Sequence, residues 1–96
     1  MAYTESTVLG IVKARLNRLA SDTSLDEYLK ARIEAADEEL KGNGINLVID
    51  DVRDTVLLAD MVVWQYGNRD KPGDMPEWLR LARRERFLRE RGGSDS

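Results

Sequence analysis

The sequence predicts an all-α fold, a small bundle of three core helices with a partly independent C-terminal helix. Apolar residues recur at intervals of three and four in four separate segments. Glycine, asparagine and proline punctuate the chain between those segments. At 96 residues and 42% hydrophobic content, the chain has the size and composition of one globular domain. We assign this domain to residues 1–91 and a flexible tail to residues 92–96.

Two residue types are missing from the chain, histidine and cysteine. Their absence removes disulfides, thiolate zinc sites, thiol nucleophiles and the commonest general base. The sequence also has no glycine-rich phosphate loop and no nucleophile elbow. We therefore expect no enzyme and no cofactor. A core this small often gains stability from oligomerisation, which we do expect.

No segment of the sequence is expected to contact a membrane. The longest apolar run near the middle, Met61–Trp64, is far too short to span a bilayer. No charged-then-apolar leader precedes Tyr3, so we expect no secretion signal and a cytoplasmic product.

The first helix is expected from Glu5 to Ala20, with Thr4 or Ser6 as its cap. The second begins after Ser24, whose spacing to Glu27 is that of a capping box. It ends at the Gly-Asn-Gly sequence of residues 42–44. The outward face of the second helix is acidic, and its acids are Glu34, Asp37, Glu38 and Glu39.

Residues 45–49 form a short apolar segment that is either a brief strand or an extended tether. The third helix begins at Asp50 or Asp51, because carboxylates suit the positive end of a helix. It ends near Tyr66, with Gly67 as a left-handed stop. Its broad apolar face contains Val52, Val56, Ala59, Val62, Val63 and Tyr66, and a second stripe contains Leu57, Met61 and Trp64. A helix that is apolar on two faces is normally central.

The second stripe, Leu57, Met61 and Trp64, has two interpretations. It packs under the fourth helix of the same subunit, or it forms a subunit interface, where tryptophan and methionine are enriched.

Three acids near the start of the third helix, Asp50, Asp51 and Asp54, resemble a cation site only superficially. They lack the glycine and the distal glutamate of a calcium loop. We interpret them as helix-start acids, and we expect no metal site. Asp60, on the same side as Arg53, is interpreted as exposed or paired.

The fourth helix starts with Asp74 as its cap and Pro76 in its first turn, and it runs to about Arg91. Its first apolar face contains Met75, Trp78, Leu79 and Ala82, but Glu85, Arg86 and Arg89 continue that face. We therefore expect the first two turns to dock and the remainder to stay uncovered. The charge of residues 75–96 is +2, against −5 for the rest of the chain.

The arginines of the fourth helix admit three interpretations: a solvated charged face, phosphate binding, or protein docking. The interleaved apolar residues Leu81, Phe87 and Leu88 favour docking, because a helix that only follows phosphates needs no second apolar side. The alternative function is a small helical nucleic-acid-binding or regulatory protein that uses this helix.

Three segments carry a resemblance that covers nearly the whole chain. They are Leu25–Leu40, the stretch from Ala59 through Tyr66-Gly67-Asn68-Arg69-Asp70, and Met75-Pro76-Glu77-Trp78-Leu79-Arg80. In this order and size, the chain resembles the small head–tail connector (adaptor) proteins of long-tailed bacteriophages and prophages.

The resemblance implies a structural role at the head–tail junction of the virion, after assembly in the host cytoplasm. It implies a ring of about a dozen copies beneath the portal protein. The ring would extend the channel for DNA, without sequence-specific contact, and meet a stopper or head-completion protein. Portal contact would fall on Trp78, Arg80, Arg83, Arg84, Phe87, Leu88 and Arg89. The acids of the second helix, Glu34, Asp37, Glu38 and Glu39, would face the channel and repel the phosphate backbone.

Overall fold

The chain folds into four α-helices in the computed structural model, which describes residues 5–19, 21–48, 51–68 and 74–93. The helices are α1 (Glu5–Arg15), α2 (Asp26–Gly42), α3 (Val52–Gly67) and α4 (Glu77–Gly93). These residues contain no strand, so the all-α prediction is confirmed. Within the same ranges, no helix is both long and apolar enough to cross a membrane.

Helix α3 is central, as its two apolar faces predicted. It packs against α1, α2 and α4, and α1 and α2 also pack against each other. In the described part of the chain, α4 packs against no helix other than α3, so it lies at one side of a three-helix core. The core side chains, at most 8% exposed, are Val8, Leu9, Val12, Leu29, Ile33, Ala36, Leu40, Ile45, Leu47, Leu57, Leu58, Ala59, Met61, Val62 and Leu79.

Helix α1 is shorter than its apolar stripe predicted, because it ends at Arg15 and not at Ala20. Asn17 has a φ of 60°. Asparagine tolerates this left-handed conformation better than most residues, and the conformation ends a helix. Thr4, Ala20 and the side chain of Ser6 lie outside the described residues.

The capping box predicted at the start of α2 does not form. Ser24 donates from its backbone N and from its Oγ to Oδ1 of Asp22, at 3.0 and 2.7 Å. The N–H of Ser24 also lowers the pKa of Asp22. This local turn competes with the cap. Leu25 therefore occupies the cap position without a side-chain hydrogen bond, and α2 begins at Asp26.

The predicted end of α2 is confirmed. The helix ends at Gly42, and Gly44 has a φ of 86°, a conformation that favours glycine. Residues 45–48 follow without regular secondary structure and bury Ile45 and Leu47. They match the extended tether, not the strand, while Ile49 lies outside the described residues.

Helix α3 starts as predicted and ends differently. The carboxylate of Asp51 accepts the backbone N–H of Arg53 at 2.8 Å and caps the helix. Gly67 is helical and does not adopt a left-handed conformation, so that prediction is wrong. Asn68 ends the helix instead, and its side-chain amide donates to the carbonyl of Trp64 at 2.8 Å.

The predicted broad face of α3 is only partly buried. Ala59 and Val62 are fully buried, whereas Val52 and Val56 are 74% and 42% exposed. This face of α3 is therefore uncovered in the first turns of the helix and buried in the later ones.

Helix α4 begins at Glu77, three residues after the predicted cap Asp74. The carbonyl of Pro76 accepts the backbone N–H groups of Leu79 and Arg80, at 3.1 and 3.0 Å, so the proline stands just before the first helical residue. The helix continues to Gly93, two residues beyond the predicted end at Arg91. Residues 94–96 lie outside the described ranges.

Candidate docking surface

Arg86 attaches the second half of α4 to the rest of the chain. Its Nε donates to Oδ1 of Asp54 at 2.7 Å, and its Nη2 donates to Oδ2 at 3.1 Å, which makes a bidentate pair. Arg86 is 6% exposed and Asp54 is 1% exposed. The expectation that α4 stays uncovered beyond its second turn is therefore wrong, because a buried acid receives the arginine that continues the Leu79 face.

The connection between α2 and α3 completes this ion pair. Arg86 also donates to the carbonyl of Asn46 at 2.7 Å and to Oε1 of Glu90 at 2.9 Å. Glu90 accepts the N–H of Asn46 at 3.2 Å, and Asp54 accepts the N–H of Val48 at 2.7 Å. A buried ion pair needs such additional hydrogen bonds to offset the loss of water. We call these five residues the anchor.

Two pKa shifts accompany the anchor. The hydrogen bond to Asp54 raises the pKa of Arg86 above its usual value. The backbone N–H of Asn46, aided by Arg86, outweighs burial and lowers the pKa of Glu90. Both shifts favour the charged forms of Arg86 and Glu90.

Arg89 lies at the edge of the anchor, with its side chain 41% exposed. Its guanidinium is 3.8 Å from Oδ2 of Asp51 and 3.9 Å from Oδ1 of Asp54. Burial works to raise the pKa of Asp51, but hydrogen bonding and charge from Arg53 prevail and lower it. Arg89 was predicted to contact the portal, but Asp51 and Asp54 of its own chain partly balance its charge.

Three large apolar side chains on the opposite side of α4 are exposed. Trp78, Leu81 and Leu88 are 53%, 49% and 51% accessible. Spacings of three and seven residues align them along one side of the helix. We call these three residues the outer stripe. Trp78 was expected on the face of Leu79, but the structure turns it to solvent. Aligned exposed apolar residues mark a candidate contact surface.

A cleft of about 260 Å³ opens between α4 and the turn that follows α2. We call it the arginine cleft, and its lining residues are Asn43, Ile45, Arg80, Arg83, Arg84 and Phe87. Four of these residues, Arg80, Arg83, Arg84 and Phe87, are among those that the resemblance predicts to contact the portal.

Gly44 allows the apolar floor of the cleft to form. A Cβ atom at this position would lie 3.3 Å from Cε1 of Phe87, so the phenyl ring packs closely on the turn. The guanidinium of Arg91 lies 5.8 Å from the centre of the same ring, within the range of a cation–π contact. Phe87 is thus held mainly by its own chain and offers only part of its ring to a partner.

The residues predicted for a subunit interface lie mostly inside the chain. Leu57 and Met61 are 5% and 0% exposed and belong to the core, and Trp64 is half-buried against it. For Leu57 and Met61 the interface interpretation is corrected, because buried side chains cannot cover a second copy. For the half-buried Trp64 it stays a prediction.

The predicted channel-facing acids divide into two groups. Glu34, Glu38 and Glu39 are exposed. Asp37 is 7% exposed, and its Oδ2 lies 3.4 Å from Nζ of Lys41. The prediction that it faces a channel is therefore wrong, because the residue is buried and paired within the chain. Asp37, with Glu38, raises the pKa of that lysine.

The acids considered for a cation have other partners. Asp51 caps α3, Asp54 belongs to the anchor, and Asp50 lies outside the described residues. Asp60 pairs with Arg15 rather than with Arg53. No cluster of three or more potential metal ligands occurs in the described part of the chain.

Comparisons with the models of known protein families, with curated proteins and with solved structures find no match to this chain.

Sequence reasoning missed the pairing of Asp54 with Arg86, although a signal for it was present. Asp54 precedes Leu57, Leu58 and Met61 by three, four and seven residues, so it lies on the buried face of α3. Arg86 follows Leu79 by seven residues and lies on the buried face of α4. Opposite charges on the apolar faces of two helices are the pattern of a buried pair.

Proposed function

We propose that the chain is a non-enzymatic adaptor of phage head–tail joining, which forms a ring beneath the portal and extends the DNA channel. The resemblance to head–tail connectors suggests this role. The observation that carries it is the outer stripe, because Trp78, Leu81 and Leu88 stay exposed after α4 has docked. Tryptophan is enriched at the centres of protein interfaces.

The anchor supports this use of α4. It holds the inner side of the helix, so the outer stripe is presented in one orientation. A partner that binds a surface already in place loses less conformational freedom than one that must order it first.

The distribution of charge favours protein docking over nucleic-acid binding. Arg86 and Arg89 lie beside acids of their own chain, so fewer cations of α4 are available to phosphates. The net charge of −3 also opposes general affinity for a polyanion. DNA would pass without sequence-specific contact, and the exposed Glu34, Glu38 and Glu39 would repel its backbone.

The proposal is tested by measuring mass with light scattering, for the chain alone and with the portal protein of the same phage. Electron micrographs of both samples show whether annular particles form. We expect rings, or stoichiometric addition to the portal. A monomer at high concentration that also fails to bind the portal would contradict the proposal. A monomer alone would not, since the portal can template the ring.

Substitutions connect this result to the outer stripe. We expect Trp78→Ala combined with Leu88→Ala to weaken portal association at least tenfold, the scale of losing a central interface residue. Leu19→Ala is the matched control, because Leu19 is 74% exposed and lies after α1, outside the stripe. An equal loss of portal affinity in Leu19→Ala and in the double variant would show that the outer stripe is not the portal-binding surface.

A further inference from the structure

We infer that the arginine cleft binds a carboxylate-rich peptide segment of a partner protein, one that carries an apolar side chain among its acids. The inference deepens the proposed function and rests on it, because it states the chemistry of the partner that this side of α4 receives.

The three arginines of the cleft have no acidic partner among the described residues. Salt bridges to acids are made instead by arginines outside the cleft, among them Arg15, Arg18, Arg53, Arg86 and Arg89. Nη1 of Arg83 lies 4.0 Å from the sulfur of Met75, a weak acceptor. Nε of the same residue is buried without a hydrogen-bond partner in the described structure. The described residues therefore give the donors of Arg83 no strong acceptor.

The spacing of these arginines concentrates positive charge. Arg80 is followed by Arg83 and Arg84 at three and four residues, so the three lie together on one side of α4, and like charges at this spacing destabilise a helix. An anion between them relieves the repulsion. Carboxylates suit the guanidinium fork, which binds them through two parallel hydrogen bonds.

The apolar lining of the cleft indicates that the ligand carries an apolar group beside its carboxylates. Phe87, with a minor part from the nearly buried Ile45, supplies the apolar lining beside the three cations. The volume of about 260 Å³ lies just below the range of about 300–1,000 Å³ typical of small-molecule sites. It suits one apolar side chain of a peptide, with acids on either side of it reaching the arginines.

The same geometry favours a peptide over DNA. The phosphates of a duplex are regularly spaced along an extended backbone, and they bind rows of cations without needing apolar contact. Here three cations surround one small cleft with an aromatic floor. The next arginines along α4, Arg86 and Arg89, lie beside acids of the chain.

The test is a selection of random dodecapeptides on the immobilised full-length chain. We expect enriched peptides to carry two or more acids around an apolar residue. We expect them to bind the variant Arg80→Gln/Arg84→Gln at least tenfold more weakly. Both of these arginines are exposed, so the fold should persist, and a thermal melt checks it. Arg53→Gln is the control, because its side chain is 73% exposed at the start of α3, and binding should stay unchanged.

Four results would overturn the inference. The first three are no enrichment of peptides, enrichment without acids, and equal affinity for the parent chain and the cleft variant. The fourth is binding of a 20-base-pair DNA duplex that weakens steeply with rising salt concentration and disappears in the cleft variant. This result would show that the cleft binds phosphates.

The outcome is separable from that of the proposed function. Acidic peptides that bind the cleft while the chain neither forms rings nor joins the portal would contradict the adaptor and leave the cleft standing. In the opposite case, the chain forms rings and binds the portal equally well with Arg80→Gln/Arg84→Gln, and no acidic peptide is selected. This result would contradict the peptide-binding inference and leave the adaptor proposal standing.

Discussion

Arg84 and Arg86 lie two residues apart on α4, and their surroundings are opposite. Arg86 is 6% exposed and is held by Asp54, Glu90 and the carbonyl of Asn46. Arg84 is exposed at the rim of the arginine cleft and has no acidic partner in the described structure. One helix thus carries a cation that fixes its position and another whose charge is available to a partner.

This contrast shows that the number of arginines on a helix says little about its function. An arginine that pairs with a buried acid is part of the fold, and removing it leaves an uncompensated charge. An arginine without an acid nearby costs the fold little when it is replaced, and it is the better candidate for recognition. The contrast makes predictions that differ for the two sides of the helix.

The largest expected effect is that of Arg86→Ala. Removing one partner of a buried ion pair costs about 3–5 kcal/mol of the free energy of unfolding, because the buried Asp54 is left without its partner. Arg84→Ala should change that free energy by no more than about 0.5 kcal/mol. Urea unfolding of both variants measures the two values. Similar values would show that the anchor does not hold α4.

Two leucines on α4 allow the buried and exposed sides of the helix to be compared through uncharged side chains. Leu79 is fully buried and Leu81 is 49% exposed. Leu79→Ala should destabilise the chain by about 2–5 kcal/mol, whereas Leu81→Ala should stay within about 0.5 kcal/mol. Denaturant midpoints distinguish them, and a reversed order would mean that α4 packs with its other side inward.

Gly44→Ala should cost about 1–2 kcal/mol, because a left-handed φ penalises a side chain and the new Cβ would press on Phe87. The thermal midpoint measures this loss. The selected acidic peptides should also bind the variant more weakly, because the floor of the cleft is displaced. Gly10→Ala is the control, since nothing lies within 4 Å of a Cβ there and φ is not positive. Equal destabilisation by the two changes would refute the role of Gly44.

The smallest expected effect, about 1 kcal/mol, is that of Glu90→Gln. The pKa of Glu90 is lowered in the folded chain, so its contribution is complete above the usual value of 4.5 and is lost as the pH falls through the lowered pKa. The difference in stability between parent and variant should therefore be constant from about pH 6 to 8 and shrink in acid. Unfolding curves at several pH values test this. A difference that grew in acid would contradict the assigned contacts.

The periodicity of the sequence was enough to predict four helices and a central α3. It placed the end of α2 and the start of α3, but it misplaced the end of α1 and the cap of α2, because local contacts decided them. Ser24 bonds with Asp22 instead of capping α2, and Asn17 ends α1 early. Neither alternative changes the apolar spacing from which the helices were predicted.

The candidate site was predictable in composition but not in arrangement. Interleaved arginines and apolar residues pointed to α4 as a docking helix. The positions of Asp54 and Arg86 on buried helix faces indicated that each needs a partner of opposite charge. The two residues are 32 apart in the chain, so the sequence alone did not show that they meet. It also could not show that Trp78 faces outward, because the apolar arc of α4 covers both Leu79 and Trp78.

The central claim is that the outer stripe is covered only when a partner binds. Hydroxyl-radical footprinting of the chain, alone and bound to the portal protein, tests it most directly. We expect strong labelling of Trp78 and Leu88 in the isolated chain, protection of both in the complex, and unchanged labelling of Leu19. Equal labelling of Trp78 in both states, or protection of Leu19 instead, would contradict the account.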